Sequence, residues 1–146
     1  MDIIIRKIEE NDYPAVTALL VNELWGNKIS GINIVPFFNE VKNDDSYINF
    51  VVLLDNEAVG FISAATFLSA GVVGRFIYIQ QIVVKNEYRS KGIGTKILKY
   101  IEDHAIANGM NGIGLCSGFQ RTDAHRFYER NGFSKQTQWF GKNITP

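Results

Sequence analysis

The sequence is poor in the residues that cross-link or interrupt a chain: its 146 residues include one cysteine and three prolines. A single cysteine, Cys116, excludes an internal disulfide framework and a cysteine-based zinc site. Its apolar surroundings, "GIGLCSG", favour a buried structural thiol over a nucleophile. Because there is also no repeat and no low-complexity tract, we find no linker and expect a single domain over residues 1–146.

The sequence also lacks an excess of charge and a long apolar run. Lys plus Arg and Asp plus Glu count 15 each, so any anion site has to be local and no nucleic-acid partner is indicated. The uncharged stretch from Ala58 to Gly74 is interrupted by polar residues and glycines, whereas a membrane helix needs about 20 mainly apolar residues. The apolar run in "MDIIIRKIEE" is too short for a signal peptide. We therefore expect a soluble, cytoplasmic protein with no membrane partner.

Apolar runs bounded by turn residues predict the strands of a sheet. The strand-like segments are "MDIIIRKI", "YINFVVLLD", "AVGFISAATFLSA", "GRFIYIQQIVV", "GIGLCSG" and, last in the chain, "FSKQTQWFGKNI". The dipeptide Asn56-Glu57 after Asp55 is a turn signal, although a weaker one than Asn-Gly.

Helical patterns lie between these strands. Asp12 is placed to cap a first helix with Pro14 in its first turn, and "IVPFFNEVKN" predicts a second, shorter one. A third follows Lys91, since apolar residues recur every four positions at Ile93, Ile97, Ile101 and Ala105. A fourth runs from Thr122 as cap to about Asn131. The order β-α-α-β-β-β-α-β-α-β predicts an α+β (mixed α/β) fold, a largely antiparallel mixed sheet flanked by helices.

The strongest local motif is "YRSKGIGTKIL", where two glycines among basic residues lead into the third helix. A dinucleotide fingerprint would need a further glycine after Gly92 and Gly94, and a Walker A loop would need Gly-x4-Gly-Lys-Ser/Thr; neither is present. What remains is Arg-x-x-Gly-x-Gly at a helix N-terminus. Glycines let backbone amides approach a bulky anion, and Arg89 and Lys91 add positive charge, which suits a pyrophosphate.

Two segments together resemble a known family. "IQQIVVKNEYRSKGIGTKILKYIEDHA" resembles the acetyl-CoA-binding motif of the GNAT (N-acetyltransferase) superfamily, Gln/Arg-x-x-Gly-x-Gly/Ala after an apolar strand. "DAHRFYERNGF" resembles that superfamily's Ala-x-x-Phe-Tyr-x-x-x-Gly-Phe helix, and the order of predicted elements follows the family over nearly the entire chain. The matched positions of the second motif are Ala124, Phe127, Tyr128, Gly132 and Phe133.

The resemblance implies a sheet whose central strands splay apart and acetyl-CoA as co-substrate. It implies that the backbone around Ile82, Val83 and Val84 pairs with the pantetheine arm, with the N–H of Val83 or Val84 stabilising the oxyanion. It assigns Tyr128 as the catalytic acid that protonates the departing thiolate. It also implies a pyrophosphate held by backbone amides in one loop, those of Arg89, Ser90, Lys91, Gly92, Ile93, Gly94 and Thr95.

The sequence departs from the family where a base would lie. Many relatives have an acidic residue on the splayed strand, whereas this chain has Gln80 and Gln81, which cannot accept a proton. Deprotonation through water, through a carboxylate such as Glu23 or Glu40, or without a dedicated base stays open, and Gln80 is a candidate for orienting substrate. A further group of residues stays open between a role in the site and a merely structural one, namely Arg121 (Asn in many relatives), His125, Trp25, Phe37, Phe38 and Trp139.

We therefore expect an N-acetyltransferase that transfers acetyl from acetyl-CoA to a primary amine, by direct attack in a ternary complex. The expected acceptor is a small-molecule amine. A non-catalytic acyl-CoA-binding sensor domain and a protein N-acetyltransferase are the alternatives, and a homodimer is left open. No His/Asp/Glu grouping has metal-ligand spacing, so we predict no metal site.

Overall fold

The computed structural model describes residues 2–24, 33–71 and 73–144. It divides into two compact units, Met1–Leu115 and Cys116–Pro146. No helix within the described ranges is both long and apolar enough to cross a lipid bilayer.

The first unit contains a five-stranded sheet in which the strands are neighbours in chain order. The first four strands pair antiparallel, and the fifth runs parallel to the fourth. This confirms the predicted mixed, mostly antiparallel sheet. The strands are β1 (Ile3–Lys7), β2 (Tyr47–Leu54), β3 (Glu57–Ser69), β4 (Gly74–Val84) and β5 (Gly112–Leu115).

The described residues also form four α-helices and three shorter helical turns. The first helix continues from Leu19 into a π-helical turn, Leu20–Leu24, and 3-10 turns span Glu10–Asp12 and Asn86–Tyr88. The α-helices are α1 (Tyr13–Leu19), α2 (Val35–Val41), α3 (Ile93–Ala107) and, in the second unit, α4 (Thr122–Arg130).

Each face of the sheet packs against a different set of helices. On one face, Val51, Phe61 and Val83 stand opposite one another on β2, β3 and β4 and belong to a core cluster with Val16 of α1 and Phe38 of α2. The ring of Phe38 is 1% exposed and lies edge-on to Phe61, with centroids 5.9 Å apart. This cluster covers one face of the sheet and includes the end of β4 at Val83.

On the other face, the side chains of α3 cover the sheet. Phe50 of β2 meets the rings of Tyr100 and His104 edge-on, at centroid distances of 5.3 and 5.6 Å. The residues that recur every four positions along α3 are all buried, as their spacing predicts: Ile93, Ile97, Ile101 and Ala105.

The predicted last strand is wrong, because residues 133–144 form no strand. The residues from Ser134 onward to 144 are all exposed. The polar run "SKQTQ" offers no alternating apolar side chains, so an extended conformation there gains nothing from burying one face.

Two predicted caps and the burial of Cys116 are also wrong. The carboxylate of Asp12 does not cap α1, because it accepts hydrogen bonds from the Arg6 guanidinium at 2.7 and 3.0 Å and from the Glu9 N–H at 2.8 Å. Thr122 is the first residue of α4 and makes no cap bond. Cys116 is exposed, because β5 ends one residue earlier.

Candidate active site

The sheet opens at the middle of β4. Pairing between β4 and β5 ends where Ile79 meets Leu115, whereas β4 continues to Val84. On its other side, β4 stays paired with β3, except that Ser63 pairs with Gln81 and Ala64 with Ile79. Gln80 is therefore the extra residue of a β-bulge, and a bulge bends its strand and increases its twist. We call the segment beyond it, Gln80–Val84, the free half of β4.

Backbone direction along the free half follows from two hydrogen bonds. The N–H of Lys85 donates to the Val59 carbonyl of β3 at 2.8 Å. Because successive residues of a strand direct their backbone groups to opposite edges, Val84 and Ile82 direct theirs away from β3. The Val84 carbonyl has this direction, since it accepts a 3.0 Å hydrogen bond from Nε of Arg89 and not from β3. Of the two predicted oxyanion donors, this favours Val84 over Val83.

The loop between β4 and α3 presents a row of unengaged amides. Ser90 and Gly92 both adopt positive φ, 60° and 81°, and α3 begins directly afterwards at Ile93. The first bond into the helix is donated by Lys96 to the Gly92 carbonyl, at 3.1 Å. Among the described residues we find no acceptor for the six preceding amides, those of Ser90, Lys91, Gly92, Ile93, Gly94 and Thr95. We call residues 90–95 the glycine loop.

Arg89 differs from the rest of the predicted loop because its groups are already bonded within the protein. Its N–H donates to the Asn86 carbonyl at 3.1 Å. Its guanidinium contacts the Val84 carbonyl, the Glu23 carbonyl at 3.3 Å and the Glu23 carboxylate at 3.4 Å. The same carboxylate accepts the N–H of Asn86 at 3.1 Å. Arg89 and Glu23 thus tie the start of the loop to the π-helical turn after α1.

A second charged group fixes the end of β4. The ammonium of Lys85 bonds to Glu57 and lies 2.9 Å from Glu87. The Tyr88 hydroxyl donates to Glu57 at 3.2 Å. The bond to Glu57 raises the pKa of Lys85 above its usual range, and the same bond lowers the pKa of Glu57. Both groups therefore stay charged at neutral pH.

The second cation predicted to lie near the pyrophosphate, Lys91, is exposed to solvent. Its ammonium lies 5.4 Å from the centre of the Tyr88 ring and the residue is exposed. The ring contact holds the charge beside the glycine loop.

A row of polar side chains crosses the sheet beside the bulge. Asn49 of β2 stands opposite Ser63 of β3, and Ser63 stands opposite Gln81 of β4. Asn49 and Ser63 are buried, and the Ser63 hydroxyl donates to Oε1 of Gln80 at 3.4 Å. We call Asn49, Ser63 and Gln81 the polar row. Sequence reasoning missed Asn49 and Ser63, although each is a polar residue inside an apolar strand.

The carboxylates considered as bases are not on the polar row. Glu23 is engaged with Arg89 and Asn86 as described, and Glu40 is exposed on α2. No cluster of three or more metal-ligating side chains occurs in the part of the chain that the structure describes.

In the second unit, Tyr128 is buried on α4 at 9% exposure. Its ring lies against those of Phe127 and Phe133, at centroid distances of 5.4 and 5.9 Å. Burial raises the pKa of Tyr128, and the charge of Arg121 opposes this only in part. Tyr128 is therefore a neutral phenol at physiological pH, as a proton donor must be.

The structure gives no contact that assigns a role in the site to the other residues whose function the sequence left open. A ring nitrogen of His125 lies 2.9 Å from the Gly118 carbonyl. Phe38 belongs to the core, whereas Phe37 is 38% exposed. Trp139 is exposed, and Trp25 lies outside the described residues.

Comparison with known proteins adds the family. Residues 7–133 match the model described as the Acetyltransferase (GNAT) family. The Uncharacterized N-acetyltransferase YhdJ of Bacillus subtilis (strain 168) is 35% identical over 101 residues, 68% of this chain and 70% of that protein. The Aminoalkylphosphonate N-acetyltransferase of Salmonella typhimurium is 32% identical over 94 residues, 64% of this chain and 61% of that protein.

Solved structures agree in fold. AAC(6')-Iy, in complex with the bisubstrate analog CoA-S-monomethyl-acetylneamine, superposes with a TM-score of 0.82 over 99% of this chain and 100% of that one. Only 15% of the residues are identical, so this likeness concerns the fold alone.

Proposed function

Because the chain belongs to the GNAT family and is an N-acetyltransferase, we propose that it transfers acetyl from acetyl-CoA to a primary amine of a small molecule, by direct attack in a ternary complex. The observation that carries this proposal is the juxtaposition of the glycine loop with the free half of β4. One supplies unengaged amides at a helix N-terminus, and the other supplies an open strand edge. We keep the proposal of a single acetyltransferase domain over residues 1–146, which the family match across both compact units supports.

The glycine loop suits a pyrophosphate in both geometry and charge. Its amides have no acceptor among the described residues, and the start of α3 adds about half a positive charge. Lys91 adds a full charge beside it. We assign the pyrophosphate to the amides of residues 90–95, with Arg89 holding the loop in place through its own bonds.

The free half of β4 suits an extended, amide-containing chain such as the pantetheine arm. Ile82 and Val84 direct their backbone groups to the edge that β5 leaves open, so they can pair with the arm as with a further strand. When bound, acetyl-CoA supplies the thioester carbonyl. An N–H on the same edge is then available to stabilise the oxyanion, and Val84 is our candidate.

We assign the two proton transfers to Tyr128, as donor to the thiolate, and to water, as acceptor from the amine. A tyrosine that stays protonated can give its proton to a departing thiolate, whose conjugate acid has a pKa of about 8.5. Gln80 and Gln81 leave β4 without a carboxylate at the bulge. We therefore propose that the amine attacks in its neutral form, with water as the proton acceptor.

The small-molecule acceptor is proposed from the named relatives. One acts, by its name, on an aminoalkylphosphonate, and the superposed structure holds an analogue that joins CoA to acetylneamine. Both names describe small amines rather than protein acceptors.

The test measures free thiol released from acetyl-CoA across a panel of amines. We expect acceleration with at least one small amine and a fall of about tenfold or more in kcat for Tyr128→Phe. Tyr100→Phe is the matched control, because the ring of Tyr100 packs against Phe50 and no part of the proposed site uses its hydroxyl, so this variant should behave like wild type. A panel in which no amine accelerates release would contradict the proposal. Undiminished turnover in Tyr128→Phe would remove that residue from its assigned role.

A further inference from the structure

The outer edge of β1 is open. β1 comes first in the order of the sheet and pairs only with β2 among the described residues. The N–H of Ile8 donates to the Asn49 carbonyl of β2 at 3.0 Å, which continues the register of the β1–β2 pairs. Because successive residues direct their backbone groups to opposite edges, Ile3 and Ile5 direct theirs away from β2. Such an edge is a template for a strand of another chain.

Apolar side chains of β1 are accessible on both faces of the sheet. Ile4 is 58% exposed and lies beside Leu53, on the face that packs against α1 and α2. On the other face, Ile3 and Ile5 line a groove of about 420 Å³ between β1 and α3, together with the partly exposed Tyr100. Exposed apolar side chains on an open strand edge favour association with another chain.

The sequence of this edge, "DIIIR" over residues 2–6, is complementary to itself when two copies run antiparallel. With Ile4 opposite the partner's Ile4, Ile3 lies opposite the partner's Ile5, and both direct their backbone groups at the other strand. The same register places Asp2 opposite the partner's Arg6, so opposite charges meet at both ends of the pair. A parallel arrangement would instead place like charges opposite each other at both ends, which is unfavourable.

Neighbouring registers fit less well. A slide of two residues in one direction places Arg6 opposite the partner's Ile4 and needs the Lys7 carbonyl, which already accepts a 3.1 Å bond from Arg6. A slide in the other direction places Asp2 opposite the partner's Ile4. In the complementary register Arg6 stays bonded to Asp12. It retains donors for the partner's Asp2, since contacts with the described residues use three of the five N–H groups of its guanidinium.

Pairing in this register also joins the grooves of the two copies. The isoleucines of both strands form one apolar floor, with a Tyr100 ring on each side. The twofold axis reverses α3 in the second copy, so Lys96 near the start of one helix lies toward the partner's Asp103 near the end of the other. Lys99, in the middle, is paired with Asp103 of its own chain at 2.6 Å and so adds little repulsion.

We propose that the chain forms a twofold dimer in which the β1 strands of two copies pair antiparallel through residues 2–6, with Ile4 on the axis. Exposed ion pairs add little affinity, so the apolar contact supplies the attraction and the charges set the direction. Because each copy offers the same edge, the contact closes at two copies and does not grow. β4 lies three strands away, so its free half stays available and the dimer does not depend on the proposed function.

Analytical ultracentrifugation of the full chain without ligand tests the proposal. We expect a monomer–dimer equilibrium with a Kd of about 1–100 μM, since a short strand pair is a small interface. Ile4→Lys and Ile4→Glu each place like charges opposite each other on the axis, so each should weaken self-association by about tenfold or more. An equimolar mixture of these two variants places opposite charges on the axis and should restore a dimer.

The control is Leu68→Lys, because Leu68 is an apolar residue of β3 with 70% exposure and lies outside the proposed contact. It should sediment like wild type. Thermal unfolding shows that the variants are folded and gives a second readout. The Tm of wild type should rise with protein concentration, because the dimer contains only folded chains, and the Tm of Ile4→Lys should not.

Each remaining outcome contradicts the proposal. Wild type that stays monomeric across the concentration range overturns it, and so does an assembly that grows beyond two copies. A dimer that persists in both Ile4 variants has its contact elsewhere on the chain. If the two variants are monomeric and do not associate when mixed, Ile4 does not lie on the axis. None of these results bears on acetyl transfer, which the thiol-release test decides separately.

Discussion

The guanidinium of Arg89 lies 3.4 Å from the carboxylate of Glu23, 66 positions earlier in the chain. The pair joins the loop before α3 to the turn after α1, and both side chains also bond to neighbouring backbone. The bonds of Arg89 therefore hold the start of the glycine loop in position. Its place in the motif suggests a direct contact with phosphate instead.

This pair gives the first prediction. If Arg89 positions the loop, Glu23→Gln and Arg89→Met should both raise the KM for acetyl-CoA, by about tenfold for Arg89→Met, with a smaller effect on kcat. If Arg89 instead bound phosphate directly, releasing it from Glu23 would lower the KM. Steady-state kinetics on the two variants distinguishes these outcomes, with Lys135→Met as a control that removes an exposed charge outside the glycine loop.

The second prediction concerns Gly92. Its φ of 81° is unfavourable for other residues, yet a Cβ there would meet nothing within 4 Å. Gly92→Ala should therefore cost about 1–2 kcal/mol from backbone strain alone, and relief of that strain should tilt the loop amides and raise the KM for acetyl-CoA.

Gly114 of β5 offers a matched control, because it is equally open but has no positive φ. Chemical denaturation and kinetics on Gly92→Ala and Gly114→Ala measure both effects. Equal stability and equal KM in the two variants would contradict the role of the left-handed conformation.

The third prediction concerns pH and Tyr128. Because burial raises its pKa in the folded protein, the unfolded chain loses the phenolic proton first as pH rises past about 10. The folded protein then binds more protons than the unfolded one, so the free energy of unfolding falls with rising pH. This contribution is complete below the unfolded pKa and disappears as pH rises through the folded pKa.

Urea denaturation at pH 8 and at pH 11 checks this. Lys85 and Tyr88 also have raised pKa values and act in the same direction, so the informative quantity is the difference from Tyr128→Phe. We expect wild type to lose more stability between the two pH values than Tyr128→Phe does. Identical losses would show that the Tyr128 hydroxyl titrates as it does in the unfolded chain.

The fourth prediction concerns Asp12 in acid. Burial alone would raise the pKa of Asp12, but the hydrogen bonds from Arg6 and the Glu9 N–H lower it overall. The carboxylate therefore stabilises the fold fully above its unfolded pKa of about 3.9, and this stability disappears as pH falls through the lower folded pKa. Asp12→Asn should lose about 1–3 kcal/mol at pH 7.

Denaturation of Asp12→Asn at pH 7 and near pH 2 is the measurement. The difference in free energy of unfolding between wild type and Asp12→Asn should be smaller near pH 2 than at pH 7. Asp45→Asn, in an exposed turn, is the control and should unfold with the same free energy as wild type. If that difference is the same at both pH values, the hydrogen bonds of the Asp12 side chain stabilise the turn without a contribution from its charge.

Local sequence patterns predicted the elements whose signal lies within one segment. The bounds of β4 match the apolar run "GRFIYIQQIVV", and the four-residue spacing from Ile93 to Ala105 identifies the buried side of α3. The turn at Asp55-Asn56 formed with φ of 49° and 64°, as a tight hairpin requires, despite lacking the favoured glycine.

The polar row and the partners of Asp12 depend on contacts between segments that are distant in sequence, and a local sequence pattern holds no information about such contacts. Asn49 and Ser63 looked like isolated polar residues, and only the register places them opposite each other and Gln81. Likewise Asp12 has a side chain typical of a cap, but the arginine on β1 competes for it with charge as well as hydrogen bonds. Partners across the fold outweigh local preference at both places.

The interrupted pairing of β4 also bears on solubility. Five residues of a strand expose one backbone edge with no partner strand among the described residues, and such edges are where a second chain adds a strand and aggregation begins. β2, β3 and β4 follow one another closely in sequence and pair antiparallel, so this edge is present as soon as these three strands have folded. If acetyl-CoA lies along it, the concentration of co-substrate governs how long the protein stays in solution as well as how fast it works.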